Sequence, residues 1–295
     1  MTTFSMLKRN SRLALKGRWG HAILVLLLPA LASLLLTLTG TAANILLLDF
    51  WVTPDSGGLA AALLQVPLPS LLVTLVLWVA GFFLLSPLQM GTAYWFYSLV
   101  NGKSLPVRQV FRWFGDKRRY WRSVGYGIHI MARSFFWALL FLLIPVTLTA
   151  SSLLVLSLGG ERTVMAFGTV GLSIACALTL LAVTICTIYL GRYFLAAYRL
   201  CEDEGVNIRA AFRDSVEYTQ GYRFNYFLYT LSFVGWMLLC VLTLGIAALY
   251  LAPYLSASGA MYGRYVTEKS RIQPADSTKE FIVNNQQTGQ SILDF

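Results

Sequence analysis

The stretch Asn101–Arg122, NGKSLPVRQVFRWFGDKRRYWR, decides the fold because it is strongly basic and separates two long apolar runs. It holds seven of the 23 Lys and Arg residues against a single acid, Asp116. Aromatic residues alternate with the arginines, as in proteins that bind single-stranded nucleic acid. Aromatic residues are also enriched where a membrane meets water. The neighbouring runs must therefore decide between the two interpretations.

The composition favours a membrane protein. Of the 295 residues, 57% are hydrophobic and 12% are charged, whereas soluble domains carry about 25% charged residues. Five runs contain no Asp, Glu, Lys or Arg, and they lie between Arg18 and Asp49, Asp55 and Lys103, Arg133 and Glu161, Arg162 and Arg192, and Arg223 and Arg264. About 20 apolar residues cross a bilayer as a helix. The runs therefore predict membrane spans, and the net charge of +10 fits anionic lipid head groups.

We predict an all-α fold, a polytopic membrane bundle of six transmembrane helices arranged as three hairpins. Most runs fit one span, and the run after Arg223 fits two spans joined by a tight turn near Gly245. The predicted spans are 22–46, 68–98, 134–157, 164–197, 225–244 and 247–265. Pro87 and Pro253 fall in the second and sixth spans, where neighbouring groups can satisfy the carbonyls that a proline leaves unpaired.

The chain divides into a basic amphipathic segment (1–20), a six-helix transmembrane domain (21–266) and a polar mobile tail (267–295). The domain includes a basic cytoplasmic loop at 101–122 and an amphipathic cytoplasmic loop at 199–223. Residues 48–69, which carry no basic residue, are predicted to form an external loop, and 159–162 a short external link.

Each cytoplasmic loop is predicted to contain a short amphipathic helix lying on the membrane. Apolar residues recur at helical spacing in both. In the first loop they are Val107, Val110, Phe111 and Phe114, and in the second they are Ile208, Ala211, Phe212 and Val216.

The distribution of basic residues predicts the orientation. With a cytoplasmic N-terminus, the four cytoplasmic segments hold 5, 7, 5 and 4 basic residues, and the opposite side holds only Arg162. Because Lys and Arg remain on the cytoplasmic side, both termini are predicted to be cytoplasmic. That result requires an even number of spans.

Two borders share a sequence pattern. Gly91, Tyr94 and Tyr97 match the pattern Gly-x-x-Tyr-x-x-Tyr, as does the segment Gly259–Tyr265. One explanation is an internal repeat, which in membrane proteins often frames a central site. The other is that every cytoplasmic border attracts Arg and Tyr without common ancestry. The sequence leaves both open.

Three segments resemble a bacterial integral-membrane family of unknown function, DUF975, which is related in style to the membrane domains of some glycerophosphodiesterases. They are Arg12-Leu-Ala-Leu-Lys-Gly-Arg-Trp-Gly20, Tyr198-Arg-Leu-Cys-Glu-Asp203 with Ala210-Ala-Phe-Arg-Asp-Ser215, and Leu231-Ser-Phe-Val-Gly-Trp236 with Leu242-Thr-Leu-Gly-Ile246 and Ala252-Pro-Tyr254. The resemblance covers most of 7–266 and implies a multi-span inner-membrane protein with no established activity. The family usually has a proline after the acidic pair, where this chain has Glu204 and Gly205.

The sequence indicates neither a catalytic site nor a cofactor site. His21 and His129 have no second ligand at metal-binding spacing, and no Walker loop, dinucleotide fingerprint or nucleophile elbow occurs. The four cysteines form no CxxC motif. We therefore expect a protein that is not an enzyme and that needs no cofactor or metal.

Two groups of arginine and lysine are candidate sites. The basic loop offers contacts for lipid or a partner through Arg108, Arg112, Lys117, Arg118, Arg119 and Arg122. Arg133 and Arg192 lie at the ends of apolar runs, where long cationic side chains usually reach out to head groups. Alternatively, these two residues line an anion-accepting cytoplasmic vestibule.

The leading hypothesis is a non-enzymatic inner-membrane protein that binds anionic lipid, or a membrane-protein partner or second copy of itself, through its basic cytoplasmic face. The alternative is a transporter or channel for a small solute. Nucleic acid is not an expected partner, because the lipid interface explains the aromatic residues of the basic loop better than contacts with bases do.

Overall fold

A computed structural model describes residues 3–51, 68–158 and 162–272. Within these ranges all regular secondary structure is helical, which confirms the predicted all-α class. Residues 52–67 of the predicted external loop and most of the 159–162 link lie outside the described residues, as does the tail from 273 onward. The described ends of that loop, at 48–51 and 68–69, are helical.

The α-helices are α1 (Thr3–Leu15), α2 (Trp19–Trp51), α3 (Leu68–Val100), α4 (Lys117–Leu158), α5 (Arg162–Leu190), α6 (Ala196–Glu202), α7 (Ile208–Tyr218), α8 (Arg223–Leu231), α9 (Val234–Leu242) and α10 (Ala248–Ile272). Two 3₁₀ helices, Val107–Phe114 and Gly191–Tyr193, lie between them.

Five helical segments are long and apolar enough to cross a membrane, namely Trp19–Leu46, Pro69–Val100, Lys117–Ser157, Val164–Glu202 and Arg223–Leu242. Their surfaces carry large apolar side chains, and Phe167 and Leu180 are 78% and 71% exposed. Apolar area left in water costs about 25 cal/mol per Å², so lipid is the solvent that fits these surfaces. The sixth predicted span falls in α10, which is not among the five.

The chain forms two compact units. The first unit comprises Lys8–Gly127 and Gly245–Ser258. The second unit comprises the described parts of Met1–Leu7, Ile128–Leu244 and Gly259–Phe295.

In the first unit, α2 packs on α3 and α3 packs on the 3₁₀ helix Val107–Phe114. A Cβ added at Gly91 of α3 would overlap the carbonyl oxygen of Val110 and lie 2.7 Å from its carbonyl carbon. The absence of a side chain at Gly91 therefore lets the backbone of the 3₁₀ helix rest directly on α3. The buried Trp95 side chain donates a hydrogen bond of 3.0 Å from Nε1 to the carbonyl of Leu105 and holds the preceding loop.

The helix predicted in the 101–122 loop is present, but it is a 3₁₀ helix rather than an α-helix. Val110 and Trp113 are the buried residues of the 3₁₀ helix, while Phe111 and Phe114 are 47% and 38% exposed. A 3₁₀ helix has three residues per turn, so positions three apart share a face. The predicted face assumed 3.6 residues per turn and selected two aromatic residues that point outward.

The second cytoplasmic helix agrees with its prediction. α7 follows Asn207 and buries Ala211 and Phe212, while Arg209 and Arg213 are exposed. The predicted turn near Gly245 is also confirmed, because Leu244 and Gly245 both have positive φ, at 51° and 89°. Glycine adopts this conformation without the steric cost that other residues meet.

The first helix carries the predicted basic face. Arg9 and Arg12 of α1 and Lys16, which follows it, are exposed, while Leu7 and Leu15 are buried.

Partial burial of one lysine on α1 affects its pKa. It lowers the pKa of Lys8, and the positive charge of the neighbouring Arg12 lowers it further.

Several boundaries differ from the prediction. α4 begins at Lys117, so the basic residues before the third span already belong to a continuous helix of 42 residues. Within the fourth span the α-helix ends at Leu190, where a 3₁₀ turn follows it. The fifth span is broken at Ser232 and Phe233 into α8 and α9.

The C-terminal helix extends further than predicted. α10 continues to Ile272, six residues into the segment expected to be a tail, which began at 267. Its last turn is held within the second unit by Arg271, which pairs with Glu202 at 2.8 Å, and by Ser270, which donates a hydrogen bond to the carbonyl of Tyr218.

Candidate functional site

The basic loop presents cations and aromatic rings on one surface of the first unit. Arg108, Lys117 and Arg118 are exposed. The exposed aromatic residues beside them are Phe111, Phe114 and Trp121. Because aromatic rings favour the membrane–water boundary and cations favour anionic head groups, this surface suits a lipid interface.

The other three predicted contact residues are half-buried: Arg112, Arg119 and Arg122. Arg112 donates a hydrogen bond to the Tyr94 hydroxyl, and its guanidinium carbon lies 4.8 Å from the centre of the Tyr94 ring. Arg112 therefore contributes to the docking of the 3₁₀ helix on α3. The prediction grouped it with the exposed cations because spacing alone does not show burial.

In the second unit, Arg133 and Arg192 meet at one aromatic ring. Their guanidinium carbons each lie 5.6 Å from the centre of the Tyr193 ring. Arg133 also lies 4.2 Å from the centre of the Phe212 ring, and Arg192 lies 5.7 Å from that of Trp137. The structure thus brings together the two residues predicted for a vestibule. Contact with ring faces stabilises a cation while leaving it charged.

A cavity of about 480 Å³ opens beside these arginines. It is lined by Ile128, His129, Ala132, Arg133, Phe136, Trp137 and Tyr193. Six of these seven residues lie on α4, where positions three and four apart share a face. The cavity is therefore apolar on most of its wall, with a cation at one side.

The elements around Arg192 fix its backbone. Its carbonyl oxygen accepts a hydrogen bond of 2.8 Å from Ser215 Oγ of α7. The ring of Phe212, one turn earlier on α7, lies edge-on to Tyr193 with 5.8 Å between centres. Trp137 Nε1 donates a 3.3 Å hydrogen bond to the Tyr193 hydroxyl. The buried face of α7 therefore positions both the arginine and the ring beneath it.

A third arginine belongs to this group. Arg223, at the start of α8, contacts α7 at Val216, the residue after Ser215, whose hydroxyl binds the Arg192 backbone. Its side chain donates a hydrogen bond of 3.4 Å to the carbonyl of Val216. We call Arg133, Arg192 and Arg223 the arginine cluster.

The sequence reasoning missed the aromatic walls and the third arginine. A signal for one wall was present, because Trp137 follows Arg133 by four residues and must share its helix face. The contact of Trp137 with Tyr193 joins residues 56 positions apart. Phe212 and Arg223 come from still later elements, and no spacing rule brings them to Arg133.

The remaining candidates have local roles. His129 stacks on Phe212 with 6.0 Å between ring centres. Glu202 accepts hydrogen bonds from Arg199 and Arg271 in its own unit. In the part of the chain that the structure describes, no three His, Cys, Asp or Glu side chains are placed to hold a metal ion.

Two glycines, Gly259 and Gly263, lie four residues apart on α10. Both face Tyr198 of α6, and a Cβ at Gly263 would lie 3.0 Å from the Tyr198 ring. The absence of a side chain at Gly263 lets α10 approach α6 closely, as small residues commonly do between membrane helices.

These features define a multi-pass helical membrane protein with cations collected beside its apolar spans. The sequence profile of a family described as "Protein of unknown function (DUF975)" matches residues 1–270. The chain belongs to this family. No curated protein and no solved structure matches the chain.

Proposed function

We propose that the chain crosses the bacterial cytoplasmic (inner) membrane six times, with both termini in the cytoplasm. The support is the basic charge, of which only Arg162 falls on the opposite side in this arrangement. Lys and Arg close to span ends determine which side of the membrane a loop occupies. The spans would pair as three hairpins.

α10 supplies the sixth span in this proposal, although its composition is less apolar than that of the other five segments. Its small and polar residues are buried in the protein: Ala257, Ser258 and Ala260 are at most 1% exposed. A helix that faces protein rather than lipid does not need an apolar surface, and small residues favour its packing.

We further propose that the protein is not an enzyme and that its basic cytoplasmic face binds anionic lipid or a membrane partner. The observation that carries this proposal is the alternation of exposed cations with exposed aromatic rings over 108–121. A cation near an anionic surface contributes about 1 kcal/mol. The exposed Phe111, Phe114 and Trp121 rings would add apolar contact at the same depth.

The test compares the thermal stability of the purified chain in micelles with phosphatidylglycerol and with phosphatidylcholine. Wild-type protein is expected to unfold at a higher temperature with the anionic lipid, because a ligand that binds the native state stabilises it. Lys117→Gln with Arg118→Gln should lose about 2 kcal/mol of this lipid-dependent gain.

The matched control removes two other exposed cations, through Arg209→Gln and Arg213→Gln on the polar face of α7. This loop also carries acidic residues, so a smaller loss is expected. A loop variant that keeps the entire gain with phosphatidylglycerol would contradict lipid binding by the basic face.

Transport through the bundle is not proposed. Its motivation was the placement of Pro87 and Pro253 in the second and sixth spans. Prolines also lie inside α2 and α4, as Pro29 and Pro145. Because odd and even spans carry prolines alike, the pattern does not single out helices that could form a pathway.

A further inference from the structure

The arginine cluster carries a positive charge that no neighbouring carboxylate balances in the part of the chain that the structure describes. Among the described residues, no carboxylate lies within 4.0 Å of Arg133, Arg192 or Arg223, and the carboxylates in ion pairs are bound to Arg199, Arg264 and Arg271. Placing like charges together is unfavourable unless an opposite charge joins them. The cluster is therefore suited to an anion from outside the chain.

Hydrogen-bonding capacity in the cluster is also unused. The Nε atoms of Arg192 and Arg223 are buried and have no hydrogen-bond acceptor among the described residues. A buried donor without a partner destabilises the protein. Guanidinium groups match the geometry of phosphate oxygens and can donate two hydrogen bonds at once. A phosphate group would thus supply the missing negative charge to the cluster.

The cavity beside the cluster adds an apolar requirement. Phe136 and Ile128 line it and are 59% and 48% exposed. Free phosphate gains nothing from contact with apolar side chains, whereas the glycerol and upper acyl chains of a phospholipid would pack against them. The volume of about 480 Å³ lies within the range of about 300–1,000 Å³ that is typical of small-molecule sites.

The cluster also lies where a head group would be found. Arg133 immediately precedes the charge-free part of α4, and Arg192 immediately follows α5. α5 has 29 residues and so extends about 44 Å, at about 1.5 Å per residue. The hydrocarbon core is about 30 Å thick. α5 can cross the core and leave Arg192 at the level of lipid phosphates.

We infer that the second unit binds one anionic phospholipid in a discrete site, a deepening that rests on the lipid binding proposed above. Arg133 and Arg192, which both lie against Tyr193, contact its phosphate, and Arg223 adds to the positive potential. The upper acyl chains lie along Phe136 and Ile128. This site differs from the basic loop, which attracts anionic lipid collectively through exposed cations.

Native mass spectrometry of the purified chain tests this inference by counting bound lipid during titration with phosphatidylglycerol. Wild-type protein is expected to show one lipid that binds before all others and that phosphatidylcholine does not replace. Arg133→Gln with Arg192→Gln should weaken that first binding step at least about tenfold, the effect of roughly one charged hydrogen bond. The control Arg209→Gln with Arg213→Gln removes two charges elsewhere in the same unit and should leave the step unchanged.

A second variant distinguishes loss of the lipid site from misfolding of the double arginine variant. Ala132→Trp fills the cavity while keeping every arginine, and Ala132 is exposed, so the fold should tolerate the larger side chain. It is expected to block the first lipid. Ala150→Trp, at an exposed position further along α4, should not. Inorganic phosphate in large excess should fail to displace the lipid.

Three results would overturn the site. The first is unchanged binding of the first lipid both in Arg133→Gln with Arg192→Gln and in Ala132→Trp. The others are an equal loss of first-lipid binding in the Arg209 and Arg213 control, or displacement of the lipid by inorganic phosphate alone. The basic-face proposal is judged separately by the Lys117 and Arg118 variant, which should retain the first lipid. If that variant loses the phosphatidylglycerol-dependent stability while the arginine pair binds lipid normally, the discrete site is wrong and the basic-face proposal stands.

Discussion

At the scale of single residues, Gly91 is the described glycine with the least space for a side chain. A Cβ at this position would overlap the Val110 carbonyl oxygen, and backbone cannot move aside as a flexible side chain can. Gly91→Ala is therefore expected to destabilise the protein by about 1–3 kcal/mol or more, which is typical of overpacking. Thermal or denaturant unfolding in neutral detergent measures the loss.

Gly20→Ala is the control for this prediction. Gly20 also lies in a helix of the first unit, and a Cβ there meets no atom within 4 Å. Alanine is favoured over glycine in a helix by about 1 kcal/mol, so this variant should be neutral or slightly more stable. Equal stability of the two variants would show that the 3₁₀ helix does not rest on Gly91.

Single residues also show which parts of the candidate site could be predicted from the sequence. Arg133 and Arg192 stand out in the sequence because each ends an apolar run, and charge at such a position is costly enough to be informative. Their shared aromatic surroundings depend on Phe212 and Tyr193, which reach Arg133 only after distant elements have packed. Local spacing contains no information about those contacts.

At the scale of elements, the two cytoplasmic helices were predicted with unequal success for a physical reason. α7 has eleven residues and an α-helical pattern that its burial confirms. The segment Val107–Phe114 has eight residues, and over so short a length apolar positions three apart fit both helix types. Its 3₁₀ form accompanies close docking on α3 at Gly91, a tertiary contact that the pattern does not encode.

The last turn of α10 provides a prediction at this scale. Arg271 joins it to Glu202 of α6, and both side chains are partly exposed. Exposed ion pairs contribute about 0.2–1 kcal/mol. Arg271→Gln should therefore accelerate amide hydrogen exchange over the last turn of α10 by about two- to fivefold, as measured by mass spectrometry.

Glu268→Gln serves as the comparison, because it breaks the pair that Arg264 and Glu268 form within α10 and leaves the contact with α6 intact. Its effect on exchange should be smaller. If exchange in Arg271→Gln matches that of wild type, the ion pair with Glu202 does not hold the helix end.

At the scale of the whole molecule, the charge-free runs predicted the membrane class and the positions of five spans, because a bilayer imposes both length and composition on a helix. The sixth span could not be judged in the same way. α10 buries residues such as Ala257, Ala260 and Val266, and burial in protein relaxes the demand for apolar residues. Whether α10 crosses the membrane decides whether the two ends of the chain share one side.

Sidedness is therefore the property on which the proposed basic cytoplasmic face depends most. Single cysteines at Ser104, Arg162 and Glu268 can be tested with a membrane-impermeant maleimide on right-side-out and inside-out vesicles. All three positions are exposed. The unsubstituted protein serves as the background, because it contains four cysteines of its own.

Six spans with a basic cytoplasmic face predict that Ser104→Cys and Glu268→Cys react only from the cytoplasmic side and Arg162→Cys only from the opposite side. Reaction of Glu268→Cys from the side of Arg162 would show that α10 does not cross the membrane. Reaction of Ser104→Cys from the non-cytoplasmic side would contradict the basic cytoplasmic face itself.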